Sequence, residues 1–337
     1  MDTNGNPGAR EQARSIDEGL FVPIHGVEQW VTIRGGDREN PVLLVISGPG
    51  AALSRMAPFF APWERDFTLV QWEQPGAGAT QARNGDAGTG PLTLDRIIRD
   101  GLAVTEFVRR HVPADRVSVL ALSAGSIIGL QMIKRRPDLF AAYAGSGQVV
   151  DWARQDALSY VMLLAEARAA PDQKARQAVA ELEQIGPPPY QDAATDAVKS
   201  KYAGALTPAE QAVFAALDPA VMAAVKAPPA GARHVAAGLP LLDPRALAMA
   251  AYEKLRSELL AFDARRLGMG FEIPMFFFQG DRDAFTVTSE VQAYAAEIRA
   301  PRKRVVMIPG GGHSAFFLRD ELLALLNQHL RPLAAAR

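Results

Sequence analysis

The sequence predicts an α/β protein with a mostly parallel central sheet, helices on both faces and an inserted helical cap. Three observations predict it. From Phe21 to Gln148, short apolar runs rich in β-formers alternate with stretches of helical periodicity. From about Asp151 to Arg266 the chain turns rich in Ala, Gln, Glu and Lys, with few β-formers, and is punctuated by Pro187-Pro188-Pro189 and Pro228-Pro229. From Ile273 onward the strand–helix alternation resumes.

Taken in order, Phe21–Ile24 and Gln29–Ile33 read as a hairpin turning at His25-Gly26. Val42–Ile46 is continuously apolar, as a strand buried on both faces must be, and runs into the tight loop Ser47-Gly48-Pro49-Gly50. Phe67–Trp72 is a further strand, ending at the turn Glu73-Gln74-Pro75-Gly76-Ala77-Gly78. Leu92–His111 carries apolar residues at helical spacing, with Pro113 just beyond. Val117–Leu122 is a strand, Ala124–Arg136 a helix stopped at Pro137, and Phe140–Gln148 a strand. After the insertion come a strand (Ile273–Gln279), a helix (Val287–Arg299), a strand (Arg304–Ile308) and a helix (Ala315–Leu330). The expected organisation is a flexible tail over 1–18, a core from 19–150 and 267–337, and a helical cap over 151–266.

Bulk properties narrow the function. Among 337 residues, 36 basic and 37 acidic side chains leave a net charge of -1, which argues against nucleic acid and against a polybasic membrane anchor. The chain has no cysteine, so disulfides, thiolate metal sites and a cysteine nucleophile are excluded. No His cluster of metal-binding type stands out, and no metal or cofactor is expected. The polar N-terminus lacks the apolar run of a signal peptide, and no stretch is long and apolar enough to span a bilayer, so a cytoplasmic protein acting on a small molecule or short peptide is expected.

Chemistry concentrates at strand ends. Ala121-Leu122-Ser123-Ala124-Gly125 places a serine between strand and helix with small residues two positions either side, as a strained nucleophile elbow requires. The standard pattern is Gly-x-Ser-x-Gly, and alanine stands here at its first glycine. The competing reading is a serine N-cap. A nucleophilic serine needs a base, and the base an orienting acid, on later strand ends in that order. Gly280-Asp281-Arg282-Asp283 follows one strand and Pro309-Gly310-Gly311-Gly312-His313 the next. His313 is the candidate base and Asp283 the favoured acid of the pair Asp281 and Asp283, one of the two being read as a turn residue. His25, His111, His234 and His329 are expected to be surface or capping residues. The amides of Ala124 and Gly48 are the candidate oxyanion donors, since Pro49 has no N–H. Trp152, Asp156 and Tyr160, early in the insertion, are candidate pocket walls.

These residues together resemble the prolyl aminopeptidase-like branch of the α/β-hydrolases, over most of residues 21–330. The resemblance is strongest in Gln29–Gly35, Ser47-Gly48-Pro49-Gly50, Glu73–Gly78, the elbow and Gly280–Asp283. It implies the α/β-hydrolase fold and a Ser123–Asp283–His313 triad. The family's His-Gly-Gly-Pro-Gly stands here as Ile46-Ser47-Gly48-Pro49-Gly50, and its Asp-Gln-Arg-Gly-x-Gly as Glu73-Gln74-Pro75-Gly76-Ala77-Gly78. Prolyl aminopeptidases hold a free amino group with acidic side chains near the cap, and neither Asp151 nor Asp156 maps onto that role by sequence. The expectation is a serine hydrolase for an amide or peptide bond of a small substrate. An esterase or lactonase on the same residues, and a non-catalytic receptor on the same scaffold, are the alternatives.

Overall fold

The computed structural model describes residues 14–190, 192–226, 239–240 and 242–334. Among these, eight strands form one sheet in the spatial order β1-β2-β4-β3-β5-β6-β7-β8. They are β1 Ile16–Ile24, β2 Val27–Gly35, β3 Val42–Ile46, β4 Thr68–Glu73, β5 Val117–Leu122, β6 Phe140–Ser146, β7 Met275–Gly280 and β8 Lys303–Ile308. The first two pair antiparallel, β2 pairs antiparallel with β4, and every later pairing is parallel. This is the α/β architecture that the sequence predicts.

The central strands are apolar because both their faces are covered. Along β3, Val42, Leu44 and Ile46 join the core on one side of the sheet, while Leu43 and Val45 join the core on the other. Along β7, Met275 and Phe277 face one side, Phe276 and Phe278 the other. A residue period of two therefore produces continuous hydrophobicity rather than alternation. One face packs the helices α2 (Leu94–His111) and α3 (Gly125–Arg135), which follow α1 (Gly78–Thr89).

The insertion is helical in its described part. Between β6 and β7 run α4 Trp152–Ala169, α5 Gln173–Ile185, α6 Ala193–Ala203, α7 Pro208–Ala216, α8 Pro219–Lys226 and α9 Pro244–Leu260. Asp151, Asp172, Asp192 and Asp243 cap α4, α5, α6 and α9 with their carboxylates, and Thr207 with Glu210 makes a capping box on α7. The longer helices after the insertion are α10 Thr288–Glu297 and α11 Arg319–His329, and a short helical turn at Arg331–Ala334 follows. Pro228-Pro229 and His234 lie outside the described residues.

Three expectations change. The tail expected over 1–18 is too long, because β1 starts at Ile16 and pairs Ile16, Asp17 and Glu18 with Gly35, Arg34 and Ile33. Its polar start is tolerated because β1 is an edge strand with one neighbour. Helix α1 stands where the sequence pattern shows only a turn: three glycines obscure it, and the backbone breaks at Gly85 (φ 63°). It is seeded by the buried Glu73 carboxylate, which accepts from the Ala79 N–H at 2.5 Å and from Ser54. Burial pushes the Glu73 carboxyl above its ordinary range. His329 is neither surface nor cap; it is buried, with its ring stacked on Phe276 and Phe278 at 5.3 and 5.8 Å.

The elbow explains its own small residues. A methyl group on Gly125 would lie 2.7 Å from the Ser47 carbonyl carbon and also strike Ile46 O. Ala121, where the standard pattern has glycine, fits because Gly129 lies opposite: a methyl on Gly129 would come within 2.9 Å of the Ala121 Cβ. Gly125→Ala should therefore force β3 and α3 apart and lower stability by about 1–3 kcal/mol, read as a fall in the urea midpoint at unchanged m-value.

Candidate active site

Ser123 sits in the left-handed region, at φ 51°. A non-glycine residue there is strained, by about 1–3 kcal/mol, and needs surrounding structure to hold it. Its N–H donates to Ser146 O at 2.9 Å, and its carbonyl accepts from the Ser126 hydroxyl at 2.6 Å. Ser126 Oγ in turn accepts from the Val149 N–H at 2.9 Å. The elbow is thus laced to the end of β6. The N-cap reading fails: α3 begins at Gly125 without a side-chain cap, and Ser123 Oγ reaches His313 Nε2 at 2.7 Å.

His313 is held on every side. Its Nδ1 faces both oxygens of Asp283 at 3.3 Å, which fixes the tautomer with Nδ1 protonated and Nε2 free to accept from the serine hydroxyl. Phe285 stacks on the ring with centroids 4.6 Å apart. On another side lies Gly147, at φ 62°, where a Cβ would approach the imidazole Cε1 to 3.1 Å. The glycine loop carrying His313 is pinned as well. The Gly310 N–H donates to Asp281 Oδ1 at 2.9 Å, and the Gly312 N–H to the buried Glu210 at 2.8 Å.

Asp283 is the member of the acid pair that meets His313, while Asp281 orders the loop. The Asp283 carboxylate accepts from the Phe285 and Thr286 amides at 2.8 Å each, the Thr286 hydroxyl at 2.5 Å and Gln279 Nε2 at 2.7 Å. Complete burial pushes this carboxyl up, but the His313 charge and these hydrogen bonds outweigh it and hold the carboxyl below its ordinary range. The loop after β3 brings Gly48 against the elbow, its Cβ direction 3.4 Å from the Ala124 Cβ. Neither the Gly48 nor the Ala124 N–H has an acceptor among the described residues. Two unspent donors beside a serine hydroxyl can stabilise an oxyanion formed on a substrate carbonyl.

Of the three proposed wall residues, two reach the site. Trp152 and Asp156 line a small pocket with Ser123, Val149, Gln155, Phe285 and Thr286. Tyr160 does not line it; about one turn beyond Asp156 along α4, it packs on the satellite cluster around Leu163 and Leu182. Sequence reading missed Gln279, Thr286, Phe285, Gly147 and Glu210. Gly147, immediately after β6, had a usable signal as a glycine at the sheet edge that carries the site. Among the described residues no group of three or more His, Asp or Glu is placed to hold a metal ion, and no helix is long and apolar enough to cross a membrane.

A mostly parallel sheet with a strained serine elbow after the central strand β5, and an acid and a histidine after β7 and β8, defines an α/β-hydrolase. The chain belongs to that family: the model for the alpha/beta hydrolase fold matches residues 40–320. Among curated proteins it is similar to a probable aminopeptidase, YbaC, of Bacillus subtilis (strain 168), with 25% identity over 318 residues covering 92% of this chain and 95% of the relative. Among solved structures, the proline iminopeptidase of Mycobacterium smegmatis superposes with a TM-score of 0.61 at 17% identity, covering 95% of this chain and 99% of the other. A proline iminopeptidase-related protein from Thermus thermophilus gives 0.58 at 20% identity, covering 94% and 99%.

Two outcomes follow from this geometry. Gly147→Ala should push the imidazole off line and slow fluorophosphonate labelling of Ser123 by about 100-fold, with little change in the circular dichroism spectrum. The Asp283 carboxyl is held below its unfolded value, so the stability it contributes is complete above about pH 4 and is lost as pH falls through the lower folded value. The difference in urea midpoint between wild type and Asp283→Asn should accordingly be full just above about pH 4 and shrink as pH falls below it.

Proposed function

We propose that the chain is a metal-free serine hydrolase that cleaves an amide or peptide bond of a small substrate, of aminopeptidase or amidase type, through an acyl-enzyme on Ser123. One observation carries the reading: the unbroken line from Ser123 Oγ through His313 to Asp283, beside two amides with no acceptor among the described residues. The kinship with a probable aminopeptidase supports the bond type. In the proposed organisation, residues 151–266 form the cap over a core made of 19–150 and 267–337.

The chemistry follows from the positions. His313 Nε2 takes the Ser123 hydroxyl proton as Oγ attacks the carbonyl carbon. The Gly48 and Ala124 N–H groups receive the charge that develops on the carbonyl oxygen, each worth about 100–1000-fold in rate. Asp283 stabilises the imidazolium, which then gives its proton to the leaving nitrogen as the C–N bond breaks. Water enters, loses a proton to His313 and attacks the acyl-enzyme. The second tetrahedral species collapses, Oγ recovers its proton from His313, and the free acid leaves.

Ser123→Ala should abolish covalent labelling by a fluorophosphonate probe, and wild type should label stoichiometrically. Absence of wild-type labelling would favour a receptor on a hydrolase scaffold. A panel of nitroanilides, of amino acids and of simple carboxylic acids, against short-chain nitrophenyl esters tests the bond class. Turnover of esters with no anilide cleaved would overturn the amide reading in favour of an esterase.

A further inference from the structure

A second cavity, of about 200 Å³, adjoins the serine pocket, with Trp152 and Asp156 lining both. Its walls are mainly apolar: Trp152, Ala157, Pro188, Pro189, Tyr190 and Leu260. It also touches two carboxylates, Asp156 and Asp196. Standing alone, such a pair beside a nucleophile would attract an ammonium group. They do not stand alone. Lys199, on α6 and with no exposed surface, donates to Asp156 and lies 3.9 Å from Asp196. Asp196 also accepts from the Tyr252 hydroxyl at 2.7 Å. Arg256 stands on the cavity wall and donates to Tyr190 O at 2.7 Å.

We infer that Lys199 occupies, as a tethered internal cation, the place between these carboxylates, so that the cavity receives an uncharged, mainly apolar end of the substrate and discriminates against a free ammonium there. Lys199 pairs with both carboxylates and the Tyr252 hydroxyl also donates to Asp196, so a substrate ammonium entering here would lose its water without finding a free carboxylate. Burial pushes the Asp156 carboxyl up, against the opposing pull of Lys199. The one orphan polar atom that Tyr190 brings, its hydroxyl, has no partner among the described residues and can serve a neutral hydrogen-bonding group. A buried ion pair contributes little net stability compared with an apolar pair of the same shape, so its presence beside the serine is better explained by selectivity than by folding. Lys199 also lies over the Phe285 ring at 4.7 Å, and Phe285 stacks on His313, so the same cation fixes a wall of the catalytic site.

The inference rests on the serine-hydrolase reading above and narrows it to acyl groups without a charged amine. The test uses two isosteric anilides, proline 4-nitroanilide and cyclopentanecarboxylic acid 4-nitroanilide, which differ in replacing the ring ammonium with a methylene. Wild type should cleave the carbocyclic anilide with kcat/KM at least about tenfold above the prolyl one. Lys199→Met, which removes the cation from Asp156 and leaves Asp196 with Tyr252, should lower that ratio by about tenfold or more. The wild-type ratio stands whether or not the variant folds. Wild type preferring the prolyl anilide, or cleaving both equally, overturns the inference while leaving the hydrolase reading intact. Unlabelled Ser123, or no cleavage of either anilide, overturns the reading beneath it and the inference with it.

Discussion

Everything at the sheet edge depends on one backbone conformation, the left-handed turn at Ser123. A strained φ persists only where surrounding contacts over-determine it. Here β5 fixes the approach through its register with β3 and β6, and Ser123 N–H is tied to Ser146. Gly125 lets α3 leave the strand with its backbone against Ile46 and Ser47. That same proximity delivers the Gly48 amide to the elbow. The turn and the placing of the Gly48 and Ala124 amides are therefore one construction: the close packing at Gly125 that lets the chain turn also sets β3's loop against the elbow.

The histidine is positioned by a second, polar construction. Gln279 is fully buried in β7 and donates to Asp283 Oδ2, while its Oε1 accepts from the Gln148 N–H at 3.2 Å. It joins the acid to the loop that carries Gly147, the residue packed against the imidazole. Buried amides of this kind are tolerable only when satisfied, and a satisfied network defines one geometry rather than several. From the opposite side, Glu210 on α7 closes its own capping box and accepts the Gly312 N–H, so an inserted helix holds the histidine loop.

The sheet was legible because burial on both faces writes itself into sequence as unbroken apolar runs, and the strand ends then named Ser123, Asp283 and His313. What stayed illegible depends on partners distant in the chain. His329 reads as a polar residue closing a helix, and only the packing of α11 across β7 makes it a core ring between Phe276 and Phe278. Helix α1 contradicts its own propensities, because Glu73, just ahead of it, supplies the N-terminal acceptor. Tyr160 and Asp156 lie on one helix and looked equivalent. The helix places Asp156 at the pocket and Tyr160 on the neighbouring cluster, since α4 rests against the site only at its first turns.

In the proposed hydrolase, reaction and selection are built from different parts of the fold. The reacting groups come from strand ends, whose positions the sheet hydrogen bonds fix to within a residue. The inferred selecting groups come from α4, α6 and α9, whose mutual placement depends on side-chain packing and on ion pairs between helices. Lys199 belongs to both, because it neutralises the cavity carboxylates and lies over Phe285, which supports His313. A change in the charge of the inserted helices therefore reaches His313 through one aromatic ring. Selectivity can drift only as far as that ring still holds the imidazole in line, and this contact ties what the site accepts to whether it can react.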